Sequence, residues 1–134
     1  MDRFEKIKER IDKFVNERDW RKFHTPSNLA KSISIEANEL LECFQWNDND
    51  FDLEHVKEEL ADVMNYCIQM SQVLNVDIVD ILNSKMDKTE KKYPAEKSKG
   101  VSTKYDKLNV EYNSSYNLIN LETSLTIWSS LMKI

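Results

Sequence analysis

The longest helical pattern in the chain lies in residues 51 to 74. Apolar side chains recur there at alternating intervals of three and four residues, at Leu53, Val56, Leu60, Val63, Cys67, Met70 and Leu74. This spacing is typical of a helix that packs along another helix. A second apolar stripe occupies residues 28 to 46, and the short polar segment at 47 to 50 between the two patterns predicts a turn. We therefore expect an antiparallel helical hairpin.

One further helix is expected before this hairpin. It covers residues 2 to 18 and carries an apolar face formed by Phe4, Ile7, Ile11 and Phe14. Pro26 stops the segment that follows it, and Ser27 or Asn28 is the expected N-cap of the helix at 28 to 46.

A fourth helix is expected after the hairpin, from Asp77 as N-cap to Lys92, just before Pro94. The whole chain of 134 residues contains one glycine and two prolines, which is too few for a turn-rich β fold. The expected fold class is therefore all-α, a four-helix bundle formed by residues 1 to 108 as a single domain.

The sequence after Pro94 loses the helical pattern. Residues 96 to 108 are polar and basic, contain the only glycine, and are expected to be irregular. Residues 109 to 134 are richer in Asn, Ser, Leu and Ile and poorer in charge. We expect an irregular C-terminal tail there, with a packed fifth helix from about Leu121 as the alternative.

The formal net charge of −5 provides no basic patch for a nucleic-acid polymer, although a free nucleotide is compatible with it if a metal ion offsets the acidic side chains. The longest apolar runs are only a few residues, and the N-terminal sequence MDRFEKIKER is too charged for a signal peptide. We therefore expect a cytoplasmic protein without membrane contact. Cys43 and Cys67 fit no disulfide or zinc pattern and are expected to be buried free thiols.

Four acidic residues occupy mirrored positions on the two helices of the hairpin. Glu36 and Glu39 lie three residues apart on the first helix, and Glu59 and Asp62 repeat that interval on the second. Position 49 in the turn is the midpoint of the pair 36 and 62 and also of the pair 39 and 59. Residues at equal distances from a short turn lie opposite each other. The four carboxylates are therefore expected to face one another.

Carboxylates grouped in this way repel one another unless a cation joins them. Glu36 even occupies a position of the apolar stripe, between Ile33 and Leu40, where another apolar side chain would be expected. The motifs EANE and EELAD contain no lysine or arginine, and an all-oxygen ligand set suits Mg²⁺ or Mn²⁺. We therefore expect the four acids to be metal ligands, with solvated helix faces as the alternative. Glu58 could compete with Glu59 for its role.

Aromatic and basic residues accompany the hairpin. On the expected helices, Trp46 lies near the face of Glu39 and Tyr66 lies near the face of Glu59. Trp20 precedes the first of the two helices. Flat rings beside a metal site suggest a nucleobase next to a metal-bound phosphate chain, with ordinary core filling as the alternative. The candidate phosphate ligands, which could also be merely solvated, are Lys85, Lys92 and Lys104.

The acidic motifs resemble those of the MazG-like all-α nucleoside triphosphate pyrophosphatases, whose signature is ExxE followed after a spacer by ExxD. The signature occurs here as EANE at 36 to 39 and ELAD at 59 to 62. The blocks ERDWRKFHTPSNL, EANELLECFQW, EELADVMNYC and SKMDKTEKKYP are similar, in order and spacing, to the dCTP pyrophosphatase branch. The resemblance covers residues 4 to 108.

The resemblance implies a homotetramer of helical bundles. It further implies that four acids hold Mg²⁺ on a triphosphate, namely Glu36, Glu39, Glu59 and Asp62. Aromatic residues around the base are implied at Trp20, Trp46 and Tyr66, and a phosphate contact at Lys85. Three positions depart from the family pattern: Thr89 stands where an asparagine is frequent, Lys92 replaces an arginine, and Ile11 stands where the dCTP branch has a histidine beside the base.

The expected activity is Mg²⁺-dependent hydrolysis of a nucleoside triphosphate, with dCTP or a modified deoxynucleotide as candidates, to the monophosphate and pyrophosphate. Its role would be to clear surplus or noncanonical nucleotides, and the enzyme is expected to be a dimer or tetramer. The alternative from another class is a non-catalytic helical module that binds a partner or oligomerises. A carboxylate-bridged metal bundle would need a Glu-x-x-His pair, which neither His24 nor His55 provides, and neither histidine belongs to a nucleophile motif.

Overall fold

The computed structural model describes residues 1–108; the expected tail and the alternative helix from Leu121 lie outside the described residues. Within residues 1–108 the chain is entirely helical and contains no strand, which confirms the all-α class. Within residues 1–108 the helical elements follow in the order α1 (Arg3–Glu17), a 3-10 turn (Trp20–Lys22), α2 (Pro26–Glu42), α3 (Leu53–Val73), α4 (Ile78–Lys92) and α5 (Ala95–Ser98), and residues 105 to 108 are also helical. The described residues divide at α4 into two compact units, one of residues 1–81 and one that begins at residue 82.

The first unit contains the expected helical hairpin. α2 and α3 make the most extensive contact between any two helices, and α1 packs on α3 over a shorter stretch. The turn between α2 and α3 is closed by the rings of Phe44 and Phe51, whose centroids are 4.8 Å apart. Asp52 caps α3, since its carboxylate accepts from the backbone N–H groups of Glu54 (2.9 Å) and His55 (3.3 Å).

The start of α2 differs from the sequence prediction. Thr25 is the N-cap, because its hydroxyl accepts from the backbone N–H of Asn28 at 3.2 Å. Pro26 is the first helical residue, where its fixed φ suits the helix and its missing N–H costs no hydrogen bond. The prediction that Pro26 stops the chain and that Ser27 or Asn28 caps the helix was therefore wrong by two or three residues.

The end of α2 also differs from the prediction. The helix ends at Glu42, and Cys43 is its C-cap. The next backbone N–H groups, of Phe44 and Gln45, donate three residues back to Leu41 and Glu42 at 3.1 Å each, so the chain tightens and leaves the helix. Trp46 consequently lies in the turn and not on the helix, in contrast to the expected boundary.

The buried apolar residues are fewer than the sequence pattern suggested. In the first unit they are Val15 of α1, Leu29 of α2 and Ile68 of α3. Leu53, Leu60 and Leu74, which belong to the expected seam of α3, are all exposed. α3 instead buries three polar residues, Glu59, Gln69 and Ser71. α3 therefore packs along other helices as its spacing predicted, but within the single chain part of its apolar stripe stays exposed.

The second unit is described here only through residues 82–108. Tyr93 and Tyr105 make an edge-to-face ring contact at 6.0 Å, and the ammonium of Lys92 lies 4.7 Å from the centroid of the Tyr105 ring. The single turn of α5 and the helical residues 105 to 108 fall in the segment that was expected to be irregular, so that expectation was wrong in part. Gly100 adopts a φ of 75°, which glycine tolerates without strain.

No helix within residues 1–108 combines the length and the apolar character needed to cross a bilayer. Cys43 and Cys67 are free thiols, and both are half-buried, not fully buried as expected.

Candidate active site

Three of the four predicted acids converge between α2 and α3. One carboxylate oxygen from each of Glu36, Glu59 and Asp62 lies within 4.8 Å of the other two. The three residues differ in exposure, since Glu59 is buried, Glu36 is half-buried and Asp62 is exposed. The convergence follows from the hairpin, because acids at mirrored distances from the turn are brought face to face. The cluster therefore extends from solvent into the first unit.

Glu59 has two oxygens in unlike surroundings. Oε1 lies 2.9 Å from Nε2 of His55, one helical turn earlier on α3. Oε2 is buried and has no hydrogen-bond partner among residues 1–108. A buried carboxylate oxygen without a partner is costly, and such groups call for a specific explanation. A bound cation would supply the missing partner.

Glu36 shows the electrostatic effect of the cluster. Its pKa is raised, first by burial and then by the negative charges of Glu39, Asp62 and Glu59. Glu39 thus lies close enough to act on Glu36, although its own oxygens are not part of the three-acid cluster and its side chain is exposed. Each proton or cation taken up by the cluster relieves this repulsion.

The donor set fits a hard divalent cation. All three clustered ligand atoms are carboxylate oxygens, the type that Mg²⁺ and Mn²⁺ prefer. Two oxygens bound to one Mg²⁺ ion are at most about 4.2 Å apart, so the three clustered oxygens, which lie within 4.8 Å of one another, would draw closer together to share one ion. The unpartnered oxygen of Glu59 agrees with this interpretation.

Tyr66 lies beside the acids, as its sequence phase predicted. The pKa of its hydroxyl is raised by burial and by the charges of Glu36 and Asp62, and lowered by a hydrogen bond with the side chain of Ser32. The phenol therefore stays protonated next to the carboxylates and is available as a neutral polar group.

A cleft of about 440 Å³ runs between α1 and α3 and reaches the acid cluster at Asp62. Its walls are mainly apolar, formed by Ile7, Ile11 and Phe14 of α1 and by Met64 and Ile68 of α3. Arg10 and Asn65 add polar groups to the lining. Sequence reasoning did not predict this cleft, although the apolar face of α1 was recognised. A mainly apolar cleft with a few polar groups is the usual form of a small-molecule site.

The four acidic residues lie in a segment that matches a known protein family. The model of the MazG-like family matches residues 31–108, which include all four acidic residues. The chain belongs to the MazG-like family. The dCTP pyrophosphatase 1 proteins of Mus musculus and Homo sapiens are each 35% identical to it in an alignment of 104 residues that covers 71% of this chain and 61% of theirs. The chain thus spans about three fifths of the length of these relatives.

A solved structure shares the MazG-like fold of this chain. A pyrophosphatase from Archaeoglobus fulgidus DSM 4304 is 36% identical and superposes with a TM-score of 0.62, over 70% of this chain and 94% of that one. The α1 wall of the cleft precedes the segment matched to the MazG-like family, since Ile7, Ile11 and Phe14 come before residue 31.

The remaining predicted site residues of this MazG-like chain lie in varied surroundings. The ring of Trp20 contacts the ring of Phe14, a wall of the cleft, with centroids 5.7 Å apart. Trp46 is 90% exposed and lies in the turn after α2. Within the second unit, Lys85 is exposed on α4 and Lys104 pairs with Asp106 at 3.6 Å. Lys92 lies over the Tyr105 ring as described above.

One residue of the site was missed by the sequence reasoning. His55 belongs to no nucleophile motif and to no Glu-x-x-His pair, so the sequence motifs assign it no role. Its spacing of four residues from Glu59 places both side chains on one face of α3, and that spacing could have predicted the contact.

Proposed function

We propose that this protein hydrolyses a nucleoside triphosphate, with dCTP or a modified deoxynucleotide as the preferred class, to the monophosphate and pyrophosphate. Two observations carry the proposal: one carboxylate oxygen from each of Glu36, Glu59 and Asp62 lies within 4.8 Å of the other two, and Oε2 of Glu59 is buried without a hydrogen-bond partner among residues 1–108. The relatives named as pyrophosphatases support the reaction type. Removal of surplus or noncanonical nucleotides would be its cellular role.

Glu36, Glu59 and Asp62, joined by Glu39, are proposed to hold Mg²⁺ or Mn²⁺ on the triphosphate. Such an ion would offset the phosphate charge and increase the acidity of a water molecule. One carboxylate of the group accepts the proton of the attacking water as the water oxygen bonds to the α-phosphorus. The bond from the α-phosphorus to the bridging oxygen breaks, and pyrophosphate leaves with that oxygen.

The base is proposed to occupy the cleft between α1 and α3. Asp62 belongs both to the acid cluster and to the cleft lining, so phosphates held at the acids would place the rest of the nucleotide near the apolar walls. Phe14 and the adjoining Trp20 provide aromatic surface there. Tyr66 is proposed to act beside the phosphates. The roles of Trp46 as a base contact and of Lys85, Lys92 and Lys104 as phosphate ligands stay proposals from the sequence alone.

We further propose that copies of this chain associate as a dimer or tetramer and thereby complete helical bundles. The support is the number of exposed apolar residues on the hairpin, among them Leu41, Leu53 and Leu60. Exposed apolar surface of this kind marks interaction sites in soluble proteins. The same surface would also serve a non-catalytic binding module, which is the second candidate function.

The test is to incubate the protein with dCTP and Mg²⁺ and to identify the released phosphate species. We expect pyrophosphate and dCMP, and a screen of the common and modified deoxynucleotides defines the preferred base. Glu59→Gln should reduce the rate by at least about 100-fold, because even residues that only support metal ligands contribute about 10–100-fold. Glu58→Gln is the matched control, since Glu58 is exposed and adjacent.

Two results would reject the enzyme. One is release of single phosphate instead of pyrophosphate, and the other is full activity of Glu59→Gln. The non-catalytic module makes a separate prediction for calorimetry with a nonhydrolysable triphosphate: it should show no heat that depends on Mg²⁺.

A further inference from the structure

His55 stands at the boundary between the acid cluster and solvent. Its side chain is 54% exposed, whereas the side chain of Glu59 is 11% exposed. Their contact, 2.9 Å between Nε2 and Oε1, joins an exposed imidazole to a buried carboxylate. The imidazole therefore reaches Glu59 from the solvent side of the cluster.

The two oxygens of Glu59 are distinguished by this contact. Oε1 is paired with the imidazole, while Oε2 is buried with no hydrogen-bond partner within residues 1–108. A carboxylate that is held at one oxygen loses freedom to rotate about its last bond. Among residues 1–108, Oε2 is therefore the oxygen of Glu59 that is left without a partner and open to a cation.

The imidazole is itself carried by an ordered part of the backbone. His55 lies in the first turn of α3, and its backbone N–H donates to the capping carboxylate of Asp52 at 3.3 Å. The interval of four residues places His55 and Glu59 on the same face of the helix. The contact thus joins two side chains on one rigid helix and does not depend on packing between helices.

We propose that His55 is a positioning residue for the metal site: it holds Oε1 of Glu59 so that Oε2 stays directed at the cation. This inference rests on the proposed function, because it assigns a cation to the acid cluster. Groups that orient metal ligands in this way typically contribute about 10–100-fold to metal affinity. His55 needs no particular charge for this role, since both neutral and protonated imidazole can present an N–H from Nε2.

The test measures metal binding directly, on the full chain and without nucleotide. Mn²⁺ is titrated into wild type, His55→Ala and His55→Gln, and free Mn²⁺ is followed by electron paramagnetic resonance. His55→Ala should weaken Mn²⁺ binding by roughly 10-fold or more. His55→Gln should restore most of the affinity, because a glutamine amide four residues from a carboxylate can make the same contact. Circular dichroism checks that each variant is folded.

Lys57→Ala is the matched control. It also removes a basic side chain from the start of α3, but Lys57 pairs with Glu54 at 2.9 Å. Its Mn²⁺ affinity should stay at the wild-type value. A general effect of changing a side chain at the start of α3 would appear in both variants, whereas a positioning role weakens Mn²⁺ binding only in His55→Ala.

A kinetic readout separates positioning from structural damage. Pyrophosphate release by His55→Ala should recover toward the wild-type rate at saturating Mg²⁺, because only the affinity for the cation is reduced. The proposal is overturned if His55→Ala binds Mn²⁺ as tightly as wild type, or if His55→Gln is as weak as His55→Ala. A wild-type chain that binds Mn²⁺ but releases no pyrophosphate would reject the proposed function alone, and the binding series would still decide the role of His55.

Discussion

Two neighbouring residues of α3 differ in exposure to solvent. Counted as whole residues, Glu59 is 9% exposed, and Leu60, the next residue, is 49% exposed. The same contrast holds for the two regions they represent, the acid cluster between α2 and α3 and the apolar surface of the same helices, where Leu41 and Leu53 are also exposed. A helix that buries a carboxylate and exposes leucines is not optimised for stability as a single chain. The proposed metal site would account for the first region, and the proposed contact between copies of the chain would account for the second.

Glu59→Leu replaces the buried carboxylate by an apolar side chain and should have the largest effect. We expect pyrophosphate release to be lost, since the variant removes a proposed metal ligand. In EDTA the variant should be more stable than wild type, by about 1 kcal/mol or more, because replacing a buried charged group by an apolar one of similar size is often stabilising. Urea denaturation measures the stability. An inactive variant that is also destabilised would mean that Glu59 supports the fold and not the cation.

Leu60→Glu tests whether the exposed apolar surface of α3 joins copies of the chain. If the exposed apolar surface of α3 joins copies of the chain, a charge at its centre should shift the protein from a dimer or tetramer to a monomer. Size-exclusion chromatography with light scattering measures this mass. Lys57→Glu, which also adds negative charge at an exposed position of the same helix, serves as the comparison and should leave the mass unchanged. If Leu60→Glu has the same mass as wild type, the surface around Leu60 does not join copies of the chain.

Glu36→Gln should change the stability of the folded protein by an amount that depends on pH. The raised pKa of Glu36 means that the folded protein binds a proton more tightly than the unfolded chain at this group, so its charge lowers the stability at neutral pH. Without metal, Glu36→Gln should melt a few degrees above wild type at pH 7.

This advantage should shrink as the pH falls through the raised pKa, and it should vanish below the ordinary glutamate value of 4.5. Adding Mg²⁺ should raise the melting temperature of wild type more than that of Glu36→Gln. Scanning calorimetry with EDTA and with Mg²⁺ measures both effects. A difference between the two proteins that is independent of pH would mean that the charge of Glu36 is not the cause.

Ile11→His should have the smallest effect and concerns the cleft. Ile11 lines the apolar wall of the cleft and stands where the resembling dCTP branch has a histidine. A polar side chain there should raise kcat/KM for dCTP relative to dTTP by several-fold, the scale of one added polar contact. The ratio of the two kcat/KM values is the measurement. An unchanged ratio would place the base outside this part of the cleft.

The parts of the structure that the sequence predicted are those set by local spacing. The hairpin and the convergence of three of its four acids follow from mirrored positions around one turn, so the pattern of Glu36 and Asp62 was sufficient. The buried face of α3 could not be predicted in the same way, because the apolar stripe does not tell whether Leu60 meets another helix of the same chain or remains exposed. The limits of α2 depended on which of several capping residues forms its hydrogen bond, and Thr25 does so.

The cleft was missed for a similar reason. It is formed by residues of α1 and α3 that are far apart in sequence, and its position depends on how the two helices pack. His55, by contrast, could have been assigned from its interval to Glu59, since side chains four residues apart on a helix are neighbours. The metal-ligand role of the four acids stays a prediction that the experiments above test.

Phe14 links the cleft to a natural fluorophore. It forms part of the cleft wall, and its ring meets the indole of Trp20 edge-on with the centroids 5.7 Å apart. The guanidinium of Arg18 lies 3.7 Å from the centroid of the Phe14 ring. A molecule that enters the cleft and displaces Phe14 will therefore change the surroundings of Trp20 and its emission. The chain thus contains a built-in optical reporter of cleft occupancy, which requires no added dye.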